Sequence, residues 1–486
     1  MKTITYKLLV VPVLLTLLAA GCSLDDPDHP TSFKAPQGAQ YFETYVSVGN
    51  SLTAGFMDGG LMMPGQGGSY PSLIAGQIGS SDFTQPWVAS PGIGGINEAG
   101  SVDGVLYFTG AGLAVLGTTP LATVSDLAIA KGQPAPYHNL AVPGATLNDM
   151  FNTIESAANP FFTLINRVAL YGNSTVPATV MDTDFASPVG VTYETASLGW
   201  QAIAKSPTLA TFWAGNNDAL GWATRGGDQS PVPITPRGDF QSQYFTALQL
   251  LAGGLIETTG YPAAIFVANI PYVSSTPYFL PEALFSAMLP GALGGSWPAG
   301  YEEADVELVR FPTLSWITTA NPMTDPIPAS YTLTATEVAT VNTAIDEFNV
   351  DIATYAGAVT ASGAATVVMV DMNSLMVDIA AGTSEWGPYA GQHFIALALN
   401  PATAPHAMET LFSLDGIHPN NRGYGVVANA FIEKINETLG TTVATVNVDA
   451  LVWDPTYADY QPGPEPAKST ALVSPAAARA MDAVFH

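Results

Sequence analysis

The sequence predicts an α/β protein, a three-layer α/β/α sandwich around a central parallel sheet with long loop insertions. Three observations carry that expectation. Short apolar runs recur that are continuous rather than alternating, as in strands buried on both faces. Segments with helical periodicity lie between them. The chain has 486 residues, 48% hydrophobic and only 11% charged, which supplies ample apolar surface for a large core and argues against disorder.

Taken in order, residues 44–48, 209–214, 264–268 and 365–370 read as buried parallel strands, and a fifth, weaker one leads into 139–142. Thr334 and Glu337 have the spacing of a capping box, and Val338, Val341, Ile345, Phe348 and Ile352 follow on one helical face. Tyr244, Leu248, Leu251 and Leu255 mark another helix, stopped near Gly260. Val427, Phe431, Ile435 and Leu439 mark a third, ended by Gly440. Strands alternating with helices indicate one doubly wound domain over residues 41–440. Two Gly- and Pro-rich insertions, at about 56–135 and 272–332, suit lids or binding loops. The extension 441–486, with PGPEP at 462–466, is expected to wrap the surface or fray and suggests no chemistry.

Charge narrows the function classes. There are 13 Lys+Arg against 40 Asp+Glu, and neither basic residue occurs between Lys34 and Lys131 or between Arg310 and Arg422. Such a surface cannot neutralise phosphates and release counterions, so no nucleic-acid partner is expected. The carboxylates are scattered, which favours solubility over calcium binding as their role.

The N-terminus carries a targeting pattern. Lys2 and Lys7 precede an apolar run at 8–20 that is too short to span a bilayer. It ends in LAAGC (18–22), which resembles a bacterial lipobox. That resemblance implies a signal peptide over 1–21, cleavage before Cys22, and lipidation of Cys22. An ordinary secretory signal with an incidental cysteine is the alternative. Several acyl chains, each contributing about 0.8 kcal/mol per buried CH₂, would anchor a soluble domain through a polar tether over 22–40. Ser23 after the cysteine goes with an outer-membrane location, periplasmic or surface-facing. Asp25, Asp26 and Asp28 suit a surface-export signal or a solvated tether equally. With Cys22 consumed, no thiol remains for a disulfide, a nucleophile or a metal site.

Four separated stretches carry chemistry: GNSLTAG (49–55), NLAVPGA (139–145), GNND (215–218) and DGIHPN (415–420). A serine hydroxyl needs a neighbouring base to become a nucleophile, and it must stand clear of the backbone. Ser51 follows a buried strand through a turn of small residues and meets the second condition. By itself a plain Gly–Ser loop explains it equally well. His418 has Asp415 three residues earlier, a spacing at which the carboxylate can accept from Nδ1–H and leave Nε2 for the serine. An N-capping Asp beside a chance His is the bland reading. Gly144, in a Pro–Gly–Ala turn, can offer a free backbone N–H, and the Asn217 side-chain amide and the Ser51 N–H complete a set of oxyanion donors. As isolated residues, Gly144 and Asn217 suit ordinary turns.

Together these stretches resemble the SGNH hydrolases, the GDSL-type lipases and esterases. Gly49-Asn50-Ser51-Leu52-Thr53 matches the nucleophile block, Gly144 the second block, Gly215–Asp218 the Gly-x-Asn-Asp block and Asp415–His418 the Asp-x-x-His block. All four fall in the family's order, and the resemblance covers about residues 40–440. GQGGSYPSLIAG, at 65–76, is similar to a lipid-anchored subgroup from Bacteroidota. The resemblance implies a serine esterase or lipase with Ser51, Asp415 and His418 catalytic, an oxyanion hole of Ser51, Gly144 and Asn217, and no cofactor. Asn50 departs from the family's usual Asp, a hydrogen-bonding position, so the local bonding must differ. No G-x-S-x-G elbow, metal-ligand spacing or nucleotide loop is present. The substrate stays open between a lipid ester and a carbohydrate O-acyl ester. Phe56, Met62, Met63, Trp222, Tyr278 and Phe279 are candidate acyl-pocket residues, though such residues also suit a core. A catalytically silent glycan-binding or envelope-structural lipoprotein is the alternative of a different class.

Overall fold

The computed structural model describes residues 39–97, 99–129, 137–151, 197–260, 262–288, 306–319, 327–460 and 472–483. The signal peptide, Cys22, nearly all of the tether and PGPEP lie outside the described residues. The five expected strands form one sheet: β1 (Tyr45–Gly49), β2 (Asn139–Ala141), β3 (Leu209–Trp213), β4 (Ala263–Ala268) and β5 (Ala365–Val370). All its ladders are parallel, in the spatial order β5-β4-β3-β1-β2. Every residue of β1 to β4 is buried. β5 lies at the sheet edge, and Thr366, Val368 and Met369 are half-buried there, so the expectation of a fully enclosed strand fails at this one.

The helices that matter for the site are α1 (Ser51–Ala54), α2 (Tyr70–Ile78), α3 (Leu198–Ala204), α4 (Asn217–Ala223), α5 (Arg237–Thr259), α6 (Ala335–Ser362), α7 (Met372–Ala380) and α8 (Asn421–Leu439). Side chains alternate across the sheet, so each face has its own core. Val46, Val48, Phe212, Ile265 and Val267 pack against Ile203 of α3, Leu248 and Leu251 of α5, and Ile345 and Phe348 of α6. Tyr45, Trp213 and Phe266 pack on the other face against Tyr70 and Ile74 of α2 and Phe431 and Ile435 of α8. The result is the expected three-layer sandwich.

Local chemistry sets the helix ends. Thr334 and Glu337 form the capping box that starts α6, with the Thr334 hydroxyl accepting from the Glu337 N–H at 3.2 Å. Gly440 takes φ +66° at the C-terminus of α8, the left-handed state glycine adopts without a steric penalty.

The described residues of the insertions and of the extension hold more regular structure than their composition suggests. Residues 101–120 hold two short antiparallel pairs, and Phe279–Pro281, Leu308–Arg310 and Thr332–Leu333 form a small antiparallel sheet. Strands of two or three residues are too short to display alternation in sequence. The C-terminal extension does not simply fray. Trp453 and Tyr457 are buried, and Leu113 bridges to Val473. Val446, Val448, Trp453 and Tyr457 supply the buried apolar surface that docks it.

Candidate active site

The chain runs from β1 to β2 on one side and later to β3 on the other, so β1 marks the reversal of winding. In open α/β sheets the crevice at the carboxyl ends of such strands is where ligands bind. Three of the four motif stretches leave the sheet there. Ser51 begins α1 two residues after β1 ends, and Asn50 caps that helix by accepting from the Leu52 N–H at 3.1 Å. The turn demands Gly49, because a Cβ there would lie 2.2 Å from Thr53 Oγ1 and 2.5 Å from the Trp213 carbonyl. Thr53 is held from below by the Tyr70 hydroxyl at 3.0 Å. Ser51 is only 4% exposed, yet it lines a pocket.

Asn50 uses the donor that an Asp would lack. Its Nδ2 donates to Asn216 Oδ1 at 3.2 Å, tying the nucleophile turn to the loop after β3. An Asn–Asn pair thus stands where the family's usual Asp would accept.

Asp415 and His418 are both 1% exposed. Asp415 Oδ2 accepts from His418 Nδ1 at 3.0 Å and from the Gly59 N–H at 2.9 Å. Its Oδ1 accepts from the N–H groups of Ile417 and His418, each at 2.9 Å. Burial alone would raise this carboxyl, but the charge of an imidazolium partner and these donors outweigh it and bring it down to about 2. The carboxylate therefore stays charged and holds the imidazole with Nδ1 inward, and His418 lines the same pocket as Ser51. The Phe56 ring packs on the imidazole at 4.8 Å between centroids.

The loops after β2 and β3 are strapped together. Gly144 takes φ +77°, and among the described residues neither its N–H nor that of Ser51 meets a backbone acceptor. Asn217 Nδ2 donates one hydrogen to the Ala145 carbonyl at 2.8 Å, which leaves its second hydrogen for another acceptor. The sequence assigned no role to Asp218, the last residue of the third motif. Its Oδ2 accepts from the Leu147 N–H at 2.9 Å and its Oδ1 from the Thr235 hydroxyl at 2.8 Å, so it fixes the Gly144 turn against α4. Burial, and secondarily the charge of Asp149, raise Asp218 to about 6 despite those donors.

The pocket is an open cleft with a volume of about 100 Å³. Its polar walls are Ser51, Asn216, Asn217, Thr276 and His418, all from the loops just described or next to them. The remaining walls are apolar: Trp213 and Leu220, then Met372, Leu375, Met376 and Ile379 along α7, with Leu411, Phe412, Val426 and Val427 opposite. None of the six candidate acyl-pocket residues named from sequence lines it. Phe56, Met62, Trp222, Tyr278 and Phe279 are core, and Met63 is 39% exposed. The sequence analysis assigned no role to the α7 residues, whose helical spacing does not say what their face covers. Among the described residues no cluster of His, Cys, Asp or Glu is placed to hold a metal ion.

Asp218 gives a pH prediction. Its folded value lies above the unfolded one near 3.9, so the native state holds that proton longer. This contribution to stability is present at pH 4 and is lost as pH rises through 6. Asp218→Asn removes it, so the stability advantage of wild type over the variant should shrink by roughly 2 kcal/mol between pH 4 and pH 8. Urea titrations of both proteins measure this, and taking the difference cancels the opposite contribution of His138 and His393, which burial keeps neutral. A pH-independent difference contradicts the assignment.

A family model described as GDSL-like lipase/acylhydrolase matches residues 45–431, from the first residue of β1 into α8. No curated protein and no solved structure matches the chain significantly. The match covers all four motif stretches and most of the chain, and the protein belongs to the GDSL-like lipase/acylhydrolase family.

Proposed function

We propose that this protein is a serine esterase that cleaves carboxylic esters of medium- or long-chain acyl groups through an acyl-enzyme intermediate. One observation carries the reading: Ser51 and His418 line one pocket together with Asn216, Asn217 and Thr276, and its other walls are apolar. Membership of a family that typically hydrolyses esters supports the reaction type.

In this reading His418 Nε2 takes the Ser51 proton as Oγ bonds to the ester carbonyl carbon. Asp415 stabilises the imidazolium that forms. The carbonyl oxygen becomes an oxyanion held by the N–H groups of Ser51 and Gly144 and the second Nδ2 hydrogen of Asn217. Each such donor contributes about 100- to 1000-fold in turnover. The bond to the alcohol oxygen then breaks, and the imidazolium gives its proton to the leaving alcohol. Water repeats the sequence on the acyl-serine and releases the acid. The acyl chain lies between α7 and the start of α8, where burying each CH₂ contributes about 0.8 kcal/mol. An acetyl group would leave most of that apolar wall unfilled, which favours the lipid ester over the carbohydrate O-acetyl ester. An anchor at Cys22 would hold this pocket beside a bacterial outer membrane, a location that rests on the sequence pattern alone.

Ser51→Ala should lower kcat for p-nitrophenyl esters by at least about 10³-fold without changing the unfolding midpoint, because it deletes one oxygen from a helix start. Across C2 to C16 esters the optimum should fall at C8 or longer; an optimum at C2 contradicts the lipid reading, and no turnover at all favours a binding module. Met376→Trp should shorten the preferred chain while leaving C2 turnover within about twofold, since it fills the pocket away from Ser51. An unchanged chain-length profile in that variant places the acyl chain elsewhere.

A further inference from the structure

A second buried carboxylate lies against the loop that carries Asp415. Asp58 follows α1 and is fully enclosed. Its Oδ1 accepts from the Leu414 N–H at 2.7 Å. Its own N–H donates to Ser413 Oγ at 3.0 Å, and the next N–H, from Gly59, is the one that reaches Asp415. Three consecutive loop residues, 413, 414 and 415, thus bond to a two-residue turn. The remaining oxygen, Oδ2, accepts from the Tyr457 hydroxyl at 2.7 Å and from Trp453 Nε1 at 3.1 Å. Both donors come from the C-terminal extension, and both are buried. Asp58 also holds φ +55°, a left-handed backbone that a non-glycine residue seldom adopts and keeps only when its surroundings fix it.

We propose that Asp58 is a positioning residue for the Asp415–His418 pair, and that Trp453 and Tyr457 make the C-terminal extension a working part of the esterase centre. The proposal rests on the esterase reading above. Asp58 acts in two ways. It orders the backbone that aims Asp415, and when ionised it adds a second negative charge behind the pair, which favours the imidazolium form of His418. The groups facing Asp58 are Asp415 and Leu414 of the catalytic loop, Trp453 and Tyr457 of the extension, and Tyr424 of α8 within electrostatic reach. Asp454 bears on Tyr457 from within the extension. None of these brings a positive charge, so the Leu414 N–H and the two aromatic donors together are what stabilise a carboxylate beside another carboxylate. Burial first, and the Asp415 charge last, raise Asp58 to about 7 against those donors, so its charge changes in the pH range where a catalytic histidine works.

Asp58→Asn removes the charge in a side chain of the same size that tolerates the left-handed backbone, and it also turns one acceptor into a donor facing either the Leu414 N–H or Trp453 Nε1–H. Tyr457→Phe removes one donor and nothing else. His418 titration in histidine-labelled protein, followed by NMR, and pH–rate profiles on a p-nitrophenyl ester read the effect. In Asp58→Asn the His418 titration should move down by about half a pH unit or more. The acid limb of kcat/KM should move with it, and kcat should fall about tenfold or more while KM stays within about twofold. Tyr457→Phe should lose activity at pH 7 and recover it towards pH 9, where Asp58 ionises despite the missing donor. An unchanged His418 titration with unchanged kcat in Asp58→Asn overturns the proposal. If that variant fails to fold, wild-type kcat at pH 7 in Tyr457→Phe overturns it instead. The NMR titration decides the role of Asp58 even if wild type cleaves no ester, an outcome that sinks only the esterase reading.

Discussion

The charge on Asp415 is the constraint around which this site is built. A carboxylate with almost no exposure survives only if its lone pairs are met, and here four N–H groups meet them. Three are backbone groups, so the loop cannot change shape without stranding the charge. Gly416 sits inside that loop at φ +73°, and a Cβ there would lie 2.7 Å from the His393 ring. His393 is itself held neutral by burial, stacked on Phe311 at 3.7 Å, so the loop rests against an uncharged ring. One hydrogen bond to that carboxylate then fixes the tautomer and ring orientation of His418, which lines the same pocket as Ser51.

The parallel sheet brings the other parts to the same place. Ladders between β1, β2 and β3 set the ends of three strands side by side, with Gly49 opposite Ala141 and Trp213. Each strand releases its loop into the same crevice, and short bonds between loops finish the alignment: Asn50 to Asn216, Asn217 to Ala145, Leu147 to Asp218. Three enclosed aspartates around the site then titrate in different directions. Asp415, with four donors and an ionisable partner, is lowered, while Asp58 and Asp218, with fewer donors and a neighbouring acid each, are raised. Burial is common to all three, so the donors and neighbouring charges decide the sign.

What the sequence made legible follows the same physics. Continuous apolar runs located every strand of the main sheet, because burial on both faces leaves an unbroken pattern. β5 carries that pattern although one edge of it is open. Ser51, Gly144, Asn217, Asp415 and His418 were readable because each sits in a short motif beside a strand or helix end. The pocket walls were not, because Met372, Met376 and Ile379 follow a helical period that any buried face would show. The bonds of Asp58 to Trp453 and Tyr457 join residues 395 and 399 positions apart, and no local pattern encodes such a contact. The extension was therefore legible as a tail and not as a partner of Asp58.

The central claim is that Ser51 is a nucleophile activated by His418 at the mouth of an acyl pocket. Labelling with alkyl fluorophosphonates, followed by peptide mass spectrometry, tests it most directly. One adduct is expected, on the peptide containing Ser51, formed faster with a decyl than with an ethyl reagent and lost in His418→Ala. Labelling at another serine, or equal labelling of Ser51 with and without His418, would contradict it.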